Sequence, residues 1–191
     1  MSIRIAIFAS GTGSNARKIM EHFQDHPAIR VALVVSNNVD AGVLEIARNF
    51  DIKSLIINKK QLNDPGLLES ILQDHGIQCI VLAGFLLKIP DHLIEAYPQK
   101  IVNIHPALLP AFGGKGMYGM HVHEAVIKSG VKESGISIHY VDNQYDHGET
   151  IFQARCTVSP DETPESLSKK IQRLEHEHYA SVLERLLQNP R

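Results

Sequence analysis

Tryptophan is missing from this 191-residue chain, cysteine occurs twice, and aromatic residues make up only 6% of it. Two cysteines cannot build a disulfide scaffold, and Cys79 and Cys156 both sit in apolar, strand-like runs. They read as reduced core residues. A charge excess is also lacking: the formal net charge is -2. That balance argues against a broad nucleic-acid footprint and against strong attraction to an anionic membrane. No apolar run approaches the ~20 residues of a membrane-spanning helix. The amino-terminal stretch Ile3–Ala9 is apolar but short, lacks a signal-peptide cleavage context and runs straight into a glycine turn. Repeats and low-complexity segments are absent too, so a cytoplasmic globular protein is expected.

What is present is alternation. Hydrophobic residues at 43% suit a packed core, and the length suits one domain over 1–191. Apolar strands are predicted at Ile3–Ala9, Val31–Val35, Ser54–Ile57, Cys79–Ala83 and Ile101–His105. Helical spacing is predicted between them at Ser14–Phe23, Ala41–Phe50, Leu67–Asp74 and Asp91–Ala96. Continuous apolar strands joined through helices predict an α/β fold, doubly wound around a mainly parallel sheet. After His105 the pattern changes. Pro106–Met120 holds two prolines and four glycines and reads as a long loop. A helix at His123–Lys128 leads to strands at Gly135–Val141 and Glu149–Val158, too close together for a crossover. They should pair antiparallel, as a C-terminal extension of the sheet. Thr163-Pro164-Glu165 caps a last helix running to about Leu187.

Chemistry concentrates at two places. Gly11-Thr12-Gly13-Ser14-Asn15-Ala16 follows the first strand and opens a helix. Close backbone approach and free N–H groups at a helix start suit an anion; the plain alternative is a tight turn capped by Ser14. The glycine spacing also fits a dinucleotide fingerprint, but the second strand ends Ser36-Asn37-Asn38, without the ribose-binding carboxylate. A monophosphate fits better. Gly113-Gly114-Lys115-Gly116 lacks the GK[ST] ending of a triphosphate loop and does not join a strand directly to a helix.

The second place is Asn103-Ile104-His105-Pro106, with Asp146-His147-Gly148 some forty residues later. Two residues apart in a strand, Asn103 and His105 point to one face, and Pro106 ends the strand beside them. An amide donor for an oxyanion, an imidazole for proton transfer and a carboxylate to orient it would serve acyl transfer to an amine. The plain alternatives are strand-end capping for Asn103 and His105 and a turn role for Asp146. Other histidines carry less. His121-Val122-His123 lacks a third ligand at a recognisable spacing, so no metal is expected. His22, His26, His75 and His92 read as surface positions.

With these residues assembled, the chain resembles the folate-dependent phosphoribosylglycinamide formyltransferase family. The matching runs are Ser10-Gly11-Thr12-Gly13-Ser14-Asn15, Val35-Ser36-Asn37, Leu82-Ala83-Gly84-Phe85, Asn103-Ile104-His105-Pro106-Ala107-Leu108-Leu109-Pro110 and the Asp146-x-Gly148 turn. The resemblance implies formyl transfer from 10-formyltetrahydrofolate, as co-substrate, to the amine of glycinamide ribonucleotide. It implies Asn103, His105 and Asp146 as the catalytic trio. Gly11, Thr12, Gly13, Ser14 and Asn15 would hold the substrate phosphate, and Glu175 would contact the ribonucleotide. Leu86, Leu87, Ile89, Val141 and Tyr145 would line the folate pocket, with the Val141–Asp146 loop closing over the pterin. The partners implied are these two small molecules, with no nucleic acid or membrane, in a monomer or homodimer.

Two segments depart from the family pattern. Ala111–Met120 is longer and richer in glycine, and Lys115 there is expected to neutralise the substrate phosphate. Asp146-His147-Gly148-Glu149 replaces small or proline residues around the turn. Methionyl-tRNA formyltransferases share the core but normally carry a further C-terminal domain, and deformylases an N-terminal regulatory one. A nicotinamide oxidoreductase rests on the glycine spacing alone, and a non-catalytic binding domain leaves the trio as coincidence.

Overall fold

In the computed structural model, which describes residues 2–189, hydrophobic alternation sorts side chains between two layers. The first half runs β1 (Ile3–Phe8), α1 (Ser14–Phe23), β2 (Ile29–Ser36), α2 (Gly42–Asn49), β3 (Ser54–Ile56), α3 (Lys59–Leu62), α4 (Leu67–Asp74), β4 (Cys79–Leu82), α5 (Asp91–Ala96) and β5 (Ile101–His105). The second half adds α6 (Met120–Ser129), β6 (Glu133–Tyr140), β7 (Thr150–Thr157) and α7 (Pro164–Gln188). Met1, Pro190 and Arg191, included in the single-domain expectation, lie outside the described residues.

The strands form one sheet in the order β3-β2-β1-β4-β5-β6-β7. The first five in that order are parallel, and β6 and β7 are antiparallel to their neighbours. This is the expected doubly wound sheet with its antiparallel extension. Ile5, Ile7, Cys79, Val81, Val102 and Ile104 face the layer containing α1, α2 and α7. Ala6, Phe8, Ile80, Leu82 and Ile101 face the opposite layer, which holds α4 and α5. Helix α1 buries Ala16, Ile19, Met20 and Phe23, the single stripe an amphipathic helix needs. Helix α7 starts at a capping box in which Thr163 and Ser166 satisfy each other's backbone N–H groups.

The structure departs from expectation at α6, at α3 and at Cys156. Helix α6 begins at Met120, three residues before the expected His123, because Met120 and His121 are exposed and read as the end of the glycine-rich loop. The short helix α3 rests on a capping box between Asn58 and Gln61 and is too brief for hydrophobic periodicity. Cys79 is buried as expected, but Cys156 is half-buried on edge strand β7; both are free thiols.

The chain leaves β1 toward β2 and β3 on one side, then returns to β4 and β5 on the other. The switch point opens a crevice at the carboxyl ends of β1 and β4, where ligands bind in such sheets. Its two loops are tied together there. Ser10 N–H donates to the Gly84 carbonyl at 3.0 Å, and Leu86 N–H donates to Ser10 Oγ at 2.9 Å. Ser10 Oγ in turn donates to Asn37 Oδ1 at 2.5 Å.

Candidate active site

The same alternation that buries Ile101 puts Asn103 and His105 on the α4–α5 face of the sheet. The antiparallel register places His139 opposite Asn103 and Ser137 opposite His105. Four polar side chains therefore share one face of β5 and β6. The loops 106–119 and 141–149 roof them, and a buried serine anchors the first loop. Ser137 Oγ donates to the Ala107 carbonyl at 2.7 Å and accepts the Leu109 N–H at 2.9 Å. Gln153 Nε2 donates to Ser137 Oγ at 2.8 Å and to the Leu109 carbonyl at 3.0 Å.

His105 is 3% exposed, and each of its ring nitrogens meets an acceptor. Nε2 lies 2.8 Å from the Phe112 carbonyl, to which it donates, and Nδ1 lies 3.5 Å from Asp146 Oδ1. Both acceptors ride on left-handed backbone, with φ 56° at Phe112 and 54° at Asp146. Aspartate tolerates that region through local hydrogen bonding; phenylalanine there is an outlier held by its surroundings. Asp146 Oδ2 accepts the Gly114 N–H at 2.9 Å, which pins the carboxylate between the two loops. Two residues on, a Cβ at Gly148 would collide with the Tyr140 carbonyl oxygen, so only glycine lets the Asp146 turn pass β6 this closely.

Asn103 Nδ2 lies 3.1 Å from His139 Nε2, and His139 Nε2 lies 3.8 Å from Asp146 Oδ1. His139 is 2% exposed, and burial pulls its pKa below the ordinary imidazole value despite the nearby Asp146. His123, from α6, is also buried; burial and the neighbouring His105 lower its pKa as well. Of the three imidazoles here, His123 and His139 are therefore disfavoured as cations.

These groups form the inner end of a cavity of about 330 Å³, bordered by Asn103, His105, His123, His139 and Asp146. Its apolar wall comes from Leu82, Phe85, Leu87, Ile89 and Val141. Exposed Leu86, Tyr118 and Tyr145 rim the mouth. On the far side Glu175, from α7, accepts a hydrogen bond from Asn15 Nδ2 at 3.0 Å, joining positions 160 residues apart. Burial pushes the Glu175 carboxyl above its ordinary value, and the Asn15 bond opposes that shift. One turn further, Tyr179 is buried with its hydroxyl 2.9 Å from the Leu82 carbonyl and 3.2 Å from that of Val102. It plugs the ends of β4 and β5 directly beneath the cavity.

Asn103, His105, Asp146, Asn15, Glu175, Leu86, Leu87, Ile89, Val141 and Tyr145 thus border one cavity. Gly11, Thr12, Gly13 and Ser14 sit on the adjoining β1–α1 loop and do not line it. Gly13 carries the left-handed φ of 78° at the helix start, and Ser14 Oγ accepts from Gln172 Nε2 at 3.4 Å. Lys115 is exposed between Gly114 and Gly116, which do line the cavity. Sequence reasoning missed His139, Ser137 and the Phe112 carbonyl. The signal for the first two was there: Ser137 and His139 alternate in β6 as Asn103 and His105 do in β5. His26 and His92, expected at the surface, are held instead by Glu184 and Glu69. Among the described residues no group of three or more His, Cys, Asp or Glu side chains could hold a metal ion, and no helix is long and apolar enough to cross a membrane.

A family model described as formyl transferase matches residues 3–183. The chain is 36% identical to phosphoribosylglycinamide formyltransferase of Bacillus subtilis, over 96% of this chain and 94% of that protein. It is 42% identical to the chloroplastic phosphoribosylglycinamide formyltransferase of Arabidopsis thaliana over 94% of its own length, but spans only 64% of that relative. The crystal structure of glycinamide ribonucleotide transformylase 1 from Geobacillus kaustophilus superposes with a TM-score of 0.88 at 36% identity, covering 98% of this chain and all of the other.

Proposed function

The chain belongs to the formyl transferase family, and from that membership we propose that it moves the formyl group of 10-formyltetrahydrofolate to the amine of glycinamide ribonucleotide. The products are N-formylglycinamide ribonucleotide and tetrahydrofolate, in purine synthesis. The observation that carries the reading is the convergence of Asn103, His105 and Asp146 at the inner end of one apolar-walled cleft. The wall of Leu87, Ile89 and Val141, with Leu86 and Tyr145 at the mouth, suits the flat fused ring of a pterin. When bound, the co-substrate supplies an electrophilic formyl carbon.

The side chains divide the remaining work. When an amine adds to that carbon, negative charge develops on the formyl oxygen. An Asn103 N–H is the fixed donor at this end of the cleft. The attacking nitrogen must lose one proton and the departing nitrogen must gain one. The His105 imidazole is the proton carrier for that exchange, with Asp146 orienting its Nδ1. Phe112 holds the opposite ring nitrogen, so the imidazole cannot swing out of the cleft. Glu175 and Asn15 face the amine side, next to the Gly11–Ser14 loop, whose backbone at the start of α1 suits the ribonucleotide phosphate. Lys115 is the cation proposed to assist there. We place the protein in the cytoplasm, acting on these two small molecules as a monomer or homodimer.

The direct test follows loss of 10-formyltetrahydrofolate by absorbance, with and without glycinamide ribonucleotide. Turnover only with the ribonucleotide, and formylated product by mass spectrometry, is the expected result; equal turnover without it overturns the reading in favour of a deformylase. His105→Ala should fold and lose several orders of magnitude in kcat. Asn103→Ala should cost about 10²- to 10³-fold in kcat.

A further inference from the structure

An imidazole buried in hydrogen-bonding surroundings has its tautomer set by its neighbours, and His139 leaves little choice. Nδ1 lies 2.8 Å from the Tyr140 carbonyl oxygen, an atom that can only accept. Nδ1 therefore carries the proton. In the neutral ring, Nε2 is then a lone pair, and it faces the Asn103 amide at 3.1 Å. Only the NH2 end of that amide can meet a lone pair, so the Asn103 side chain is fixed in one of its two flips. One N–H points at His139, leaving the second N–H as the donor available to the cleft. The register pair Asn103–His139 is backbone-defined, so the arrangement is part of the sheet itself.

We propose that His139 is a positioning residue that acts through Asn103, holding its amide in the orientation that presents a donor to the developing oxyanion. The inference rests on the reading of Asn103 given under Proposed function. It carries a consequence for pH. Protonating His139 at Nε2 would set a donor against the Asn103 NH2 group and break the bond. The new positive charge would lie 3.8 Å from Asp146 Oδ1, the same oxygen that faces His105 Nδ1 at 3.5 Å. The charged and titratable groups facing His139 are His105 from β5, and Asp146 and Asp142 from the loop after β6.

Steady-state kinetics of four variants tests this with the full chain and both substrates. His139→Ala should lose about 10- to 100-fold in kcat, the scale of a misplaced catalytic group. KM for either substrate should change less than about threefold if ground-state binding is untouched. The double variant Asn103→Ala/His139→Ala should be no slower than Asn103→Ala alone, because the two act as one unit. His139→Gln offers Oε1 as an acceptor near the place of Nε2 and should recover most of kcat at pH 7.5. It should also lessen the acid-side fall of kcat that the wild type is expected to show below the ordinary imidazole value of 6.5. His105 is present in both proteins, so the difference between the two profiles is the reading. A double variant slower by the product of the single effects overturns the proposal, as does a folded Gln variant as slow as the Ala variant. Normal activity in Asn103→Ala would sink the oxyanion reading and this inference together. Impaired Asn103→Ala beside normal His139→Ala would sink this inference alone.

Discussion

Replacing Ser137 by alanine separates a buried hydroxyl that organises the site from one that does nothing. Ser137 is fully buried, and its Oγ serves the Ala107 carbonyl, the Leu109 N–H and the Gln153 amide. Gln153 keeps its bond to the Leu109 carbonyl after the substitution. Ala107 is also fully buried, so its carbonyl loses its Ser137 bond without access to solvent; the half-buried Leu109 N–H loses its own. Each such group costs about 1–3 kcal/mol, so Ser137→Ala should destabilise by roughly 2–6 kcal/mol. With a urea m-value of about 2 kcal/mol/M, the midpoint should fall by about 1–3 M. The loop it anchors carries Phe112, the partner of His105, so kcat should fall about 10- to 100-fold in the folded variant. Ser134 is the control, three residues earlier on the same strand. It is 2% exposed, and its Oγ has no hydrogen-bond partner among the described residues. Ser134→Ala should stay within about 0.5 kcal/mol of wild type or gain stability. Equal effects of the two substitutions on the urea midpoint would refute the hydrogen-bond accounting.

Gly148→Ala drives a Cβ into the Tyr140 carbonyl, and should cost about 1–3 kcal/mol by thermal unfolding. It should also lower turnover more than tenfold by displacing Asp146; an unchanged melting curve and kcat would contradict that packing. Glu175 has a raised pKa because of burial, so the native state binds its proton more tightly than the unfolded chain. The stability it lends is complete below its ordinary value of 4.5 and is lost as pH rises through the folded value. Glu175→Gln should therefore gain stability relative to wild type between pH 4 and pH 8, read from urea midpoints, whereas a difference that stays constant with pH would reject the shift. Lys115→Ala should raise KM for the ribonucleotide with little change in kcat, and an unaltered KM removes Lys115 from phosphate binding.

The central sheet was legible because its signal is local. Runs such as Cys79-Ile80-Val81-Leu82 admit little besides a strand covered on both faces, and Gly11–Ser14 punctuates strand from helix. Asn103 and His105 stood out because Pro106 marks the end of their strand. His139 did not, because its meaning lies in register: nothing near Ile138 or Tyr140 announces that Asn103 will lie opposite. The Phe112 carbonyl was invisible for a different reason, since a backbone acceptor has no residue type. Glu175 was reached only through resemblance, and its pairing with Asn15 was not foreseen, as spacing alone does not relate positions on α1 and α7. The start of α6 was misjudged because Met120 and His121 are exposed and break the apolar pattern.

Tyr179 and Glu175 have a bearing on how the protein is made. Synthesis proceeds from the amino terminus, so a nascent chain that has reached Thr157 already holds Asn103, His105, His139 and Asp146 in sequence. It lacks the hydroxyl that occupies the Leu82 and Val102 carbonyls, and it lacks the carboxyl that meets Asn15. Those arrive together, one helical turn apart, when α7 lies down across α1 and β6. The ends of β4 and β5 stay unplugged until that moment. Competence is thus acquired late: a chain that stops at Thr157 has its reactive groups and its apolar wall but neither the plug at the strand ends nor the carboxyl that faces Asn15.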